Sequence, residues 1–203
     1  IIQNTVEAEK AVAQLDAALK STGRYTPELS QAMRDYSDAL QQTTAFEDDA
    51  ITGAQALLLT FTKIGGDIFP QATEAILDMS TALGTDLKSA TISVGKALND
   101  PVKGMAALGR SGVQFTEVQK ELVKNMVATG DVVGAQTIIL KELETQFGGS
   151  AEAAKNTLGG ALQSLQNTMG NLLEGEGGST KNLIAGVNQL TEALADPRTV
   201  EAM

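Results

Sequence analysis

The side chains of this sequence that could do acid–base chemistry are those of Asp, Glu, Lys and Tyr. Its 203 residues include no His, no Cys and no Trp. Without His, the chain lacks the imidazole base of Ser–His and Cys–His dyads and a common nitrogen ligand of metal ions. Without Cys, it has no thiolate nucleophile, disulfide or zinc–thiolate site. Acid–base catalysis would therefore fall to Asp, Glu, Lys or Tyr alone.

Paired carboxylates could cleave a glycosidic bond if they faced each other across an enclosed cleft. Most acids here instead occupy positions typical of solvated helix faces: Glu7, Glu9, Asp16, Glu28, Asp35, Asp38, Glu142 and Glu144. The sequence motifs of peptidoglycan transglycosylases are absent. We therefore predict no catalytic residue, and a peptidoglycan-cleaving (muralytic) module stays as an alternative.

Three further groups of residues fail as ligand sites. The Gly-rich segment Gly175–Lys181 and the pair Gly95-Lys96 lack the glycine spacing of a phosphate-binding loop. The acidic run Glu47–Asp49 lacks the alternating ligands of a calcium loop, and we expect Asp48 or Asp49 to cap the next helix. No metal-binding or cofactor-binding residue is predicted.

Charge and hydropathy exclude two classes of partner. With 15 Lys and Arg against 25 Asp and Glu, the net charge is −10, so direct nucleic-acid binding is not expected. The longest apolar stretch, Ala54–Phe61, is far shorter than the roughly 20 residues of a membrane span, and we expect it to be buried in a core. The start, Ile1–Asn4, has no secretory signal, and the chain reads as part of a longer protein.

The secondary-structure signals in the sequence are mainly those of helices. Thr26-Pro27, Asp100-Pro101 and Asp196-Pro197 each pair an N-cap residue with a proline at the first helical position. Signals for β-hairpins are missing. We therefore predict an all-α fold, with a compact multi-helix middle flanked by helical hairpins or arms.

Apolar stripes and glycine breaks divide the chain into three predicted units. Residues 1–48 form a helical hairpin, 49–150 a compact Gly-punctuated domain, and 151–203 a helical arm with a hinge at 175–179. Four stripes with apolar residues at intervals of four and three support the helices of the first and last units. They are Ala8, Val12, Leu15 and Leu19; Leu29, Met33, Tyr36 and Leu40; Leu158, Leu162, Leu165, Met169 and Leu172; and Leu183, Val187, Leu190 and Leu194.

Breaks in the middle unit are expected at Gly65-Gly66, Gly84, Asn99-Asp100, Gly109–Gly112, Gly130 and Gly148-Gly149. Thr116 and Gln119 fit a capping box, and Asp131 is expected to cap a helix over 132–146. Pro70 is expected to mark a further break. The two C-terminal stripes could pack on each other as a hairpin or form a seam between chains, so self-association stays open.

An ordered series of sequence blocks resembles the tail tape measure proteins of long-tailed phages and prophages. The similarity extends from about Ala45 to Glu174, which is about two-thirds of the chain. The blocks are Phe61–Gly66, Ala75–Gly84, Val94–Gly104, Gly112–Glu117, Thr129–Asp131 and Glu144–Ser150. Each block alone is short, and it is their order that carries the resemblance.

The resemblance implies a structural role in tail assembly and tail length determination, and a part in genome delivery. The implied location is the interior of the virion tail tube, with the host cytoplasm during assembly. The implied partners are the tail tube protein, tail assembly chaperones and tail tip proteins, and membrane contact is implied only at infection. A non-phage helical binding module is the other alternative.

Overall fold

Short capped helices make up the part of the chain that the computed structural model describes, residues 2–157. Within that range there are nine helices and no strand, which confirms the all-α prediction. The helices are α1 (Ile2–Ser21), α2 (Pro27–Thr43), α3 (Asp48–Leu59), α4 (Ile68–Leu83), α5 (Leu87–Asn99), α6 (Pro101–Arg110), α7 (Glu117–Ala128), α8 (Val132–Phe147) and α9 (Ser150–Lys155).

Several predictions fall outside the described residues. These are the helical stripes at Leu158–Leu172 and Leu183–Leu194, the hinge at 175–179 and the helix start at Asp196-Pro197.

Side-chain caps begin the helices where the sequence predicted them. The Thr26 hydroxyl accepts the N–H of Leu29 at 3.1 Å, and Pro27 occupies the first position of α2. The carboxylates of Asp100 and Asp131 do the same for α6 and α8. At α7 the capping box is complete in both directions, with Thr116 and Gln119 as the reciprocal pair. These caps satisfy backbone donors that have no partner inside the helix.

Glycines end most of the helices in the middle of the chain, as the sequence predicted. Gly84 and Gly130 have φ values of +62° and +87°, a region that suits glycine because it has no Cβ. Pro70 differs from the prediction, because it lies inside the first turn of α4 and breaks nothing. A first-turn residue has no intrahelical partner for its N–H, so proline is tolerated there.

The main hydrophobic core lies between α4, α5, α6, α7 and α8. Its fully buried side chains include Ile76, Val94, Leu98, Leu108 and Ile139, together with Leu58 from α3. Helix α4 packs on α5 and α8, and α7 packs on α8. The core therefore combines side chains from segments more than 80 residues apart in the sequence, although each helix is itself a local element.

Helices α1 and α2 both rest on α3. Leu15 and Leu19 of α1 and Met33 of α2 meet Ala56 and Leu59 of α3 in a second buried cluster. A third cluster joins α2, α3, α4 and α9 through Leu40, Ile51, Leu77 and Ala151. The division at residues 48 and 49 stays a prediction, but α3 gives side chains to all three clusters and so links α1 and α2 to the main core.

Candidate functional site

The acidic run Glu47–Asp49 lies at the start of α3. Glu47 is at the N-cap position without a side-chain cap hydrogen bond, and Asp48 and Asp49 lie in the first turn. The prediction that Asp48 or Asp49 is the cap is therefore wrong, although negative charge in a first turn is favourable. Burial raises the pKa of Asp49, and the charges of Asp48 and Glu7 raise it further. In the described part of the chain, no group of three or more acidic side chains is placed to hold a metal ion.

The pair Gly95-Lys96 lies inside α5 and forms no loop. A Cβ at Gly95 would come closer than 3.0 Å to the ring of Phe61. The glycine is thus explained by the close approach of an aromatic ring.

The apolar stretch Ala54–Phe61 packs inward, as predicted, with Ala54, Ala56, Leu58 and Leu59 buried. Among the helices of the described residues, none combines the length and the hydropathy that a membrane crossing requires.

Sequence blocks that are distant along the chain touch one another at the helix junctions. Besides the contact between Phe61 and Gly95, the side-chain oxygen of Asn99 accepts the N–H of Lys63 at 3.3 Å. The amide of Gln136 donates to the carbonyl oxygens of Lys63 and Leu98 at 3.0 and 2.9 Å. The blocks Phe61–Gly66 and Val94–Gly104 are therefore fixed to each other by α8.

Two other pairs of blocks meet in the same way. Both carboxylate oxygens of Asp78 accept backbone N–H groups at the start of α9, from Gly149 at 3.1 Å and from Ala151 at 2.8 Å. The side chain of Gln146 exchanges two hydrogen bonds with the backbone of Gln114, at 2.7 and 3.1 Å. These polar residues of the blocks hold turns and helix ends, which is a structural role.

A cleft of about 540 Å³ between α4 and α8 brings three carboxylates to one surface, those of Glu74, Asp78 and Glu144. Asp78 is already bound to the start of α9. Glu74 accepts the hydroxyl of Tyr36 at 2.7 Å, and burial and this contact raise the pKa of Tyr36. Two of the three carboxylates thus support the packing of neighbouring helices.

Sequence reasoning missed several buried polar residues, among them Gln136, Lys155 and Gln55. Lys155 is only 4% exposed, and its ammonium group donates to the carbonyl oxygens of Gln41 and Gln42 at 2.7 and 2.5 Å. Burial lowers the pKa of Lys155 to about 8. Gln55 is 0% exposed on α3. Its position within an otherwise apolar run was the available signal, whereas nothing in the sequence marked Lys155.

Comparison with known proteins adds no relative: the chain matches no family model, no curated protein and no solved structure. The blocks and the geometry described above are therefore what a functional proposal rests on.

Proposed function

We propose that this chain is a structural segment of a tail tape measure protein from a long-tailed phage or prophage. The observation that carries the proposal is the ordered series of blocks from Phe61 to Ser150. What supports reading the series as one unit is that its members contact each other across separations of 32 to 71 residues. In this role the chain acts in tail assembly and tail length determination, and no residue performs chemistry.

A ruler made of helix converts residue count into distance, because an α-helix rises about 1.5 Å per residue. Extended as a single helix, residues 2–157 would span roughly 230 Å. Folded, a chain of that size has a radius of gyration of about 15 Å. We infer that the folded state belongs to the stage before assembly, when chaperones hold the protein, and that the chain extends when tube subunits polymerise around it.

Tail length measured by electron microscopy tests the proposal. Two in-frame changes are made in the gene that encodes the chain: deletion of residues 2–44, and tandem duplication of the same residues. If these residues lie as helix along the tube, tails should become shorter and longer, respectively, by about 65 Å. A matched control, Leu58→Ala, destabilises the core while keeping the residue count, and should leave tail length unchanged.

The paired changes distinguish a ruler from a segment that assembly merely requires. A segment of the second kind could abolish tails when deleted, but its duplication would not lengthen them. Tails of normal length in both variants would overturn the proposal that these residues measure length. A shift in tail length in the Leu58→Ala control would show that folding, and not residue count, sets the length.

A peptidoglycan-cleaving module is the second candidate, and the cleft with Glu74, Asp78 and Glu144 is the observation that favours it. The test is release of soluble fragments from purified peptidoglycan by the intact chain. Activity that is lost in Glu74→Gln and Glu144→Gln variants would support this function. No release by the wild-type chain would overturn it.

A further inference from the structure

A groove of about 570 Å³ lies between the first half of α2 and the first turn of α4. Small-molecule sites in proteins typically have volumes of about 300–1,000 Å³, so the groove has the size of such a site. Leu29 is 39% exposed, and Ala32 is exposed one turn later on the same wall. The walls are mostly apolar and include Leu29, Ala32, Met33, Phe69 and Pro70.

Arg24 lines the end of the groove that is formed by the connection between α1 and α2. Two backbone carbonyls hold its guanidinium group in place. Nη1 donates to the carbonyl oxygen of Ile64, and Nη2 donates to that of Thr62, each at 2.9 Å. These bonds leave further N–H donors of the guanidinium group for a ligand. The positive charge is thus fixed at one end of an apolar surface.

No carboxylate of the described residues forms an ion pair with Arg24. The ion pairs of that part of the chain lie at α6 and α7. Glu28 and Asp67 are the acids nearest to Arg24 and Ile64 in the sequence, and both are exposed. A guanidinium group binds a carboxylate through two parallel hydrogen bonds. The groove end is therefore complementary in charge to a carboxylate ligand.

Tyr36 closes the opposite end of the groove. Its hydroxyl is hydrogen-bonded to the carboxylate of Glu74 at 2.7 Å and lies 3.3 Å from the carbonyl oxygen of Pro70, so the ring is tied to α4. Leu29 and Tyr36 are seven residues apart on α2, which is about 10 Å along the helix. That length of apolar wall suits an alkyl chain of medium length.

We propose that this groove binds a free medium-chain fatty acid as its anion, with the carboxylate on Arg24 and the alkyl chain between Leu29 and Phe69. Such a molecule has one charged end and an otherwise apolar body, which matches the distribution of charge along the groove. A peptide would bring backbone amides that mostly apolar walls cannot pair, and burying an unpaired polar group is costly. The ligand site is separate from the ruler role proposed above, which requires no ligand.

An NMR titration of the full 203-residue chain with octanoate at neutral pH tests this site. Octanol has the same alkyl chain without the charge, and acetate has the charge without the chain. We expect saturable shifts of the Leu29, Ala32 and Phe69 amides with octanoate. Octanoate should bind about tenfold more tightly than octanol, because hydrogen bonds to charged groups are the stronger ones. Acetate should cause no saturable shift.

Variants of the groove separate a specific site from general binding to apolar surface. Ala32→Glu places a carboxylate on the wall at an exposed position, so it should abolish octanoate binding without unfolding the chain. Arg24→Gln should weaken binding about tenfold, whereas Arg24→Lys should weaken it less because the charge is kept. The matched control is Ala17→Glu, at an exposed residue in the apolar groove between α1 and α3, and it should leave binding unchanged. Circular dichroism checks that each variant is folded.

Equal affinities for octanoate and octanol would overturn the proposal, because Arg24 would then not recognise the carboxylate. The absence of saturable binding, or an equal loss in Ala32→Glu and Ala17→Glu, would overturn it as well. A peptide with an apolar C-terminal residue that binds the groove more tightly than octanoate would assign the site to the C-terminus of a partner protein. That outcome would also contradict the fatty-acid assignment.

Discussion

Asp78 joins two parts of the chain that are more than 70 residues apart. Helix α9 begins at a glycine, which offers no side chain to cap its N–H groups, and Asp78 of α4 supplies the missing acceptor. A cap provided by another helix fixes the position of α9 as well as its start. The start of α9 thus depends on one carboxylate from another helix.

Replacing that carboxylate should loosen α9. We expect Asp78→Ala to lower the free energy of unfolding by about 1–2 kcal/mol, as for the loss of an N-cap. The amides of Gly149 and Ala151 should exchange hydrogen faster. Asp67→Ala is the control, because Asp67 is an exposed residue at an N-cap position without a side-chain cap hydrogen bond. Equal effects of the two substitutions on α9 exchange would contradict the role of Asp78.

Lys155 makes the free energy of unfolding depend on pH in the alkaline range. Its pKa is about 8 in the folded chain, against 10.5 for an unperturbed lysine. Between these values the unfolded chain binds more protons, so the Lys155 contribution to the free energy of unfolding rises with pH. Relative to Lys155→Met, the wild type should gain on the order of 2 kcal/mol from pH 8 to 10.5, since one pKa unit corresponds to about 1.4 kcal/mol.

Denaturant unfolding at a series of pH values measures this difference. The control is Lys103→Met, because the side chain of Lys103 is 88% exposed and its removal should leave the pH profile of the wild type unchanged. A wild type and a Lys155→Met variant with parallel profiles would show that the ammonium group is not desolvated in the folded chain.

At the scale of elements, the crossing of α5 and α6 depends on a glycine. A Cβ at Gly104 would lie closer than 3.0 Å to the backbone of Ala97 on the preceding helix. The two helices are joined directly at Asp100, so neither can move away without disturbing the cap of α6. The backbone contact therefore fixes the angle between neighbouring helices.

Two glycines of α6 should respond in opposite directions to the same substitution. Gly104→Ala should destabilise the fold by about 1–3 kcal/mol or more through overpacking. Gly109→Ala, which meets no atom within 4 Å, should stabilise it by up to about 1 kcal/mol, because alanine favours the helix. Thermal unfolding measured for both variants checks the pair, and a stabilised Gly104→Ala variant would contradict the described crossing.

The starts and ends of elements were predictable from sequence, whereas the contacts between them were not. The Thr116 hydroxyl caps an amide three residues away, so the pattern is visible locally. The bond from Asp78 to Ala151 spans 73 residues, and one sequence carries no sign of it. Glu47 was missed as the cap position of α3 because glutamate is not a preferred N-cap residue, whereas the two aspartates that follow it are. Gln55 appeared only as a polar residue in an apolar run.

At the scale of the whole described chain, the position of α3 indicates that residues 2–157 unfold together. Neighbouring residues of α3 serve different clusters: Leu58 lies in the main core, and Leu59 packs with Leu15 and Leu19 of α1. Because these side chains leave one helix in different directions, the clusters cannot separate without disrupting α3.

Large-to-small substitutions in the two clusters test this coupling. Leu15→Ala and Leu58→Ala should each cost about 2–5 kcal/mol. Both should lower the midpoint of one shared transition, observed by far-UV circular dichroism and by hydrogen exchange of α1 and α8. Separate transitions, with Leu15→Ala affecting α1 alone, would instead support residues 1–48 as an independent unit.

The two attachments of α9 determine how the fold responds to mechanical force. Asp78 binds the first residues of this helix, and Lys155 binds its last turn to α2. A pull on the chain at residue 157 loads the lysine contact first and the carboxylate contact only after the helix has opened. Because the contacts are loaded one after the other, each breaks separately and at low force. Unravelling from this end should therefore proceed in small steps, and the loss of both attachments together releases residues 149–157, about nine residues or roughly 30 Å of chain.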